Sequence, residues 1–115
     1  MKNVEGIYKV EMLGPYGWER FSTAFIKNGE YSSASAEHYT AGNYRLEDGG
    51  FQMAGNLTQY TDHRSLFGRK RIRGLPIEFI GRFDDGVIDG EARVADGGRE
   101  SLRFRMQRMP VLTRT

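Results

Sequence analysis

Residues 101–108 alternate strictly, with Leu102, Phe104 and Met106 apolar and Arg103, Arg105 and Gln107 polar. A period of two sends successive side chains to opposite faces of an extended strand, so one face meets a core and the other meets water. The same rhythm recurs along the chain. Tyr8, Val10 and Met12 oppose Lys9 and Glu11; Phe21, Thr23 and Phe25 oppose Ser22, Ala24 and Ile26; Phe51, Met53 and Leu57 share one side of residues 51–60. Further on, Leu75, Ile77, Phe79 and Phe83 face away from Glu78 and Arg82. Long helical periodicity is absent, and segments 39–46 and 87–94 also read as extended. Residues 31–35 read as a short strand, with a helical turn over SSASAEH as the other solution.

Turn chemistry punctuates these runs. Asn28-Gly29 suits a tight hairpin that needs positive φ at both central positions, and GPYG at 14–17, EDGG at 47–50, Asp84-Asp85-Gly86 and ADGGRE at 95–100 supply further turns. About eight strands joined mostly by short turns predict an all-β fold, an antiparallel meander closed into a β-barrel that leaves no free edge. A two-sheet sandwich is the other architecture that this pattern permits. The 115 residues fit one domain spanning 1–115. Residues 61–70 lack alternation and predict a long connection, and Pro76 predicts an edge or a bulge because it cannot donate to a ladder. An internal echo links Gly42, Tyr44, Asp48-Gly49, Phe51 and Gly55 to Gly81, Phe83, Asp85-Gly86, Val87 and Gly90. Strand glycines of this kind mark sharp bending or close backbone approach. A barrel of this size holds packed side chains or one small ligand; Phe25, Phe79, Phe104 and Met106 pointing inward would fill it.

Conventional active-site chemistry has few materials here. The chain has no cysteine, and its two histidines, His38 and His63, lack a nucleophile elbow or ligand spacing, so a surface or hydrogen-bonding role is the simpler reading. Glu47-Asp48 and Asp84-Asp85-Asp89 are the carboxylate clusters, and both read as solvated turns rather than acid–base pairs. No enzyme activity, metal or cofactor is expected. The charge is uneven: residues 1–58 hold five Lys or Arg against seven Asp or Glu, and residues 59–115 hold twelve against eight. Arg64, Arg69, Lys70, Arg71 and Arg73 form a basic segment without an acid between 64 and 73, which reads as a solvated loop whose cations pair with local acids or, in the other reading, as a contact for phosphates or an acidic protein. Tyr16, Trp18 and Phe21 form an aromatic patch suited to capping a barrel end or to a dimer contact. No apolar run approaches a membrane span, and MKNVEG lacks a signal-peptide core, so the expected location is the cytoplasm, where the sequon Asn56-Leu57-Thr58 has no role.

Several stretches taken in order resemble the GrlR-like family, which includes the negative regulator of type III secretion. They are GIYKVEML, AFIKNGEYSS, HYTAGNY with an acidic turn after it, SLFG, and FIGRFDDGVIDGEARV, and the likeness covers roughly residues 5–109. The resemblance implies a lipocalin-like β-barrel, a homodimer, no catalysis, and regulation by binding a transcriptional activator protein. It also implies a protein contact at Glu47 and Asp48, the counterpart of the family's longer acidic stretch. This chain keeps the first two acids and continues with Gly49-Gly50, and Ser33-Ala34-Ser35 replaces the family's Gly-Gly-Asp after the hairpin. Two other functions fit the residues: an apolar-ligand carrier using the interior, and a nucleic-acid-binding module using the basic segment.

Overall fold

In the computed structural model, which describes residues 3–60, 73–95 and 101–110, each alternating run becomes a strand. The strands are β1 (Gly6–Gly14), β2 (Gly17–Lys27), β3 (Glu30–Ala34), β4 (His38–Glu47), β5 (Gly50–Gln59), β6 (Leu75–Asp84), β7 (Val87–Val94) and β8 (Ser101–Arg108). Every strand pairs antiparallel with the next, and β8 returns to β1, so the sheet is a closed eight-stranded meander barrel rather than a sandwich. No helix occurs among the described residues, and SSASAEH forms the end of β3 and the turn into β4.

The three Asx-Gly hairpins form as their chemistry requires. Asn28, Asp48 and Asp85 have φ of 52°, 51° and 49°, and each is followed by a glycine of positive φ, the type I′ pattern. Because the meander alternates direction, all three lie at one end of the barrel. The turns after β1 and β3, and the chain on either side of residues 61–72 and 96–100, lie at the other.

The inward face carries the core. Tyr8, Val10, Ile26, Tyr31, Phe51, Met53, Leu57, Ile77, Phe79, Ile88, Phe104 and Met106 are all fully buried. Phe79 stacks on Phe104 at 4.7 Å between ring centroids, and Tyr31 meets Phe79 edge-on at 5.8 Å. Such pairs add directional packing to the area they bury. Phe25 does not join them. The β1–β2 register shifts so that Val10 faces Ser22 and Glu11 faces Arg20, which leaves Phe21 without a partner. This bulge buries both Phe21 and Ser22, and it assigns Ala24 and Ile26 inward and Phe25 outward at 48% exposure. Alternation alone orders the side chains of β2 but leaves open which set faces the core.

The internal echo resolves into two cross-strand glycine pairs, Gly42 opposite Gly55 and Gly81 opposite Gly90. A Cβ built at Gly42 would sit on the Ala54 carbonyl, and one built at Gly81 on the Asp89 carbonyl. Two strands therefore press together twice, and the wall curls there. Pro76 lies opposite Asn56 near the start of β6, not on an edge. Its carbonyl accepts from Ala95 N–H at 2.8 Å, just past the end of β7, so the missing donor falls at the frayed margin of that ladder.

Candidate functional site

Glu47 and Asp48 close the β4–β5 hairpin, both exposed. The left-handed backbone at Asp48 makes the turn, and its backbone carbonyl accepts from Arg82 Nη2 at 3.3 Å. The Gly49 carbonyl accepts from Phe83 N–H at 2.8 Å, which ties the hairpin to β6. Backbone geometry, not paired carboxylates, defines this corner. Glu47 also borders a shallow outer recess of 230 Å³ with Arg45, Gln52 and Ile80. Arg45 donates to Gln52 Oε1 across the strands at 3.3 Å.

Of the basic segment, only Arg73 falls among the described residues. Arg73 is exposed near the start of β6, at the barrel end opposite Glu47 and Asp48, while Arg64, Arg69, Lys70 and Arg71 lie outside the described residues. His63 also lies outside them. His38 is inside the barrel rather than on its surface, 5% exposed, with its ring 4.2 Å from that of Phe21. Burial lowers its pKa, and the neighbouring Glu37 carboxylate opposes that shift only in part. The Ser35 hydroxyl fixes this entry to β4 by accepting from Glu37 and His38 N–H at 3.1 and 3.3 Å. Of the aromatic patch, Tyr16 is fully exposed at the turn, Phe21 is buried, and Trp18 lies under Arg105, whose guanidinium is 4.3 Å from the ring centroid. Among the described residues, no three His, Cys, Asp or Glu side chains converge as a metal site would require.

The outer wall divides into two unlike halves. Across β6, β7, β8, β1 and into β2 runs a row of alternating charge: Arg82 opposite Asp89, Asp89 opposite Arg105, Arg105 opposite Glu11, and Glu11 opposite Arg20. Arg105 Nε donates to Glu11 Oε1 at 2.8 Å, and this hydrogen bond is the main cause of the lowered Glu11 pKa. Arg93 and Glu78 pair at 3.4 Å in a parallel row. On the other half, the central outward positions are uncharged. They are Thr23 and Phe25 on β2, Ser32 and Ala34 on β3, Tyr39 and Ala41 on β4, and Asn56 and Thr58 on β5.

Ile7 of β1 stands opposite Phe25 and is 42% exposed, and Tyr39 and Tyr60 lie 5.5 Å apart with 41% and 57% exposed. No sequence signal marks Ile7, Tyr39 or Tyr60 as an exposed surface, and Phe25 reads from sequence only as a filler of the interior. The available signal was the lack of charge from Tyr31 to Ala36 and from His38 to Tyr44, broken only by Glu37. It becomes a surface only when register sets the strands side by side.

No protein-family model matches this chain, and no curated protein matches it significantly.

Proposed function

We propose that this chain is a non-enzymatic regulatory barrel of the GrlR-like kind, a homodimer that acts in the cytoplasm by binding a transcriptional activator protein. The observation that carries the reading is the uncharged outer half with Ile7 and Phe25 side by side and exposed. Charged residues are depleted at the centre of protein interfaces, whereas aromatic side chains are enriched there. A sheet face whose middle positions carry no charge, presenting Phe25, Tyr39 and Tyr60 with Lys27 and Glu30 at its rim, fits that composition. The dimer uses this face, and the Glu47-Asp48 corner stays open at the barrel end for the activator.

The core favours this reading over an apolar carrier. Phe79, Phe104 and Met106 occupy the interior with no exposed surface above 1%, and the recess beside Glu47 lies on the outer wall. A paired-bait experiment tests the proposal. Wild-type protein and an Asp48→Asn, Glu47→Gln variant, which keeps the turn but loses its charge, are used to capture activators from the native host. Wild type should retain a transcriptional activator and the variant should lose it, with deletion of the gene altering that activator's transcripts. Equal capture by both proteins, or unchanged transcription on deletion, would remove the proposed contact.

A further inference from the structure

Five inward side chains interrupt the apolar lining on one sector of the barrel. Ser22 of β2, Tyr31 and Ser33 of β3, and His38 and Thr40 of β4 are each 5% exposed or less. Ser33 stands opposite Thr40 in the ladder, and Ala24 stands opposite Ser33, two positions along from Ser22. Directly opposed residues on one face have their Cβ atoms roughly 5 Å apart. The polar groups thus form one contiguous cluster rather than scattered defects.

None of their inward atoms finds a hydrogen-bond partner among the described residues: Ser22 Oγ, Tyr31 Oη, Ser33 Oγ, Thr40 Oγ1 and His38 Nδ1. The Ser33 hydroxyl eases ionisation of the Tyr31 phenol slightly against the strong upward push of burial, yet neither hydroxyl makes a well-formed bond. Backbone offers little remedy, since the strand N–H and C=O groups here are committed to neighbouring strands in a closed sheet. Val or Ala would fit such positions without leaving polar atoms unmet. Native interiors rarely tolerate one such group, and five side by side call for a partner that supplies both donors and acceptors.

We propose that the inward face of β2, β3 and β4 is a binding site for a small uncharged hydroxylic guest. The absence of net charge follows from the residues, because no Lys, Arg, Asp or Glu belongs to the cluster and burial keeps His38 neutral. The amphoteric character follows from four hydroxyls that can each donate and accept. Phe79 packs edge-on against Tyr31 and closes the cluster on that side. The site is independent of the dimer face and of the Glu47-Asp48 corner.

Nuclear Overhauser transfer from solvent to the labelled full-length protein tests this directly, first in water alone and then with glycerol as the probe. Long-lived transfer to the Thr40 methyl and Ser33 methylene groups is expected. Its replacement by glycerol signals identifies a polyol site, and its persistence identifies resident water; either supports the assignment. The isosteric variant Thr40→Val should lose the transfer at that position and lower Tm, because it removes a guest-held hydroxyl. An unguested hydroxyl behaves oppositely, since its removal relieves an unmet polar group and raises Tm. Absence of transfer from both water and glycerol in the wild-type protein overturns the proposal, whatever the stability of the variant.

Discussion

The half of the outer wall built from β6, β7, β8 and β1 is laced with alternating charge, whereas the half built from β2 to β5 presents uncharged side chains around Phe25 and Tyr39. Both halves obey the same strand alternation and enclose the same core. The contrast teaches that the period-two rule sets which residues face outward but says nothing of what outward positions are for. Charged rows keep one half solvated, while the other half is composed as an interface is.

The two glycine pairs offer the largest perturbation of each half. Gly42 and Gly55 lie within the uncharged half and Gly81 and Gly90 within the charged half. Gly42→Ala and Gly81→Ala each force a Cβ onto a neighbouring carbonyl, so each should cost about 3 kcal/mol, the top of the range for overpacking. Chemical denaturation measures the loss. If the halves differ in role, only Gly42→Ala should also weaken self-association.

Phe25→Glu inserts a charge between Ile7 and Ser32 on the half with the uncharged middle positions. We expect association to fall at least 100-fold, roughly 2.8 kcal/mol, with a melting temperature close to wild type because Phe25 lies outside the core. Sedimentation velocity gives the first quantity and calorimetry the second. The matching change on the charged half, Arg103→Glu opposite Glu91, should leave association unaltered.

Acid separates the halves by pH window. His38, behind the uncharged half, has a folded pKa below its unfolded value, so the unfolded chain binds the extra proton and stability falls as pH drops below about 6.5. Glu11, on the charged half, also has a lowered pKa. Its contribution is present above its unfolded value of about 4.3 and is lost as pH falls through the lower folded value. Melting temperatures from pH 8 to 3 should show two successive losses. His38→Gln should erase the upper one, and Glu11→Gln the lower. The smallest effect belongs to the Glu11–Arg105 pair at neutral pH, a surface pair whose double-mutant coupling should stay under about 1 kcal/mol.

Much of the fold was legible because its signals are local. Leu102, Phe104 and Met106 announce their strand without help from any other segment, and Asn28-Gly29, Asp48-Gly49 and Asp85-Gly86 announce their turns. The echo of glycines was visible too, although only register shows that Gly42 meets Gly55 and Gly81 meets Gly90. Phe25 faces outward because one unpaired residue, Phe21, shifts the frame between β1 and β2, and nothing in β2 alone marks that bulge. His38 carries no sequence sign of burial; the Ser35 turn that orients the start of β4 decides it. The uncharged face was illegible for the same reason, being assembled from one or two residues on each of several strands.

Sedimentation equilibrium of the full-length wild type beside Phe25→Glu tests the central claim that the uncharged half is an interaction face. Wild type should fit a homodimer at micromolar concentration and the variant a monomer with an unchanged far-ultraviolet circular dichroism spectrum. A wild-type monomer at those concentrations, or a dimer indifferent to Phe25→Glu, would contradict it.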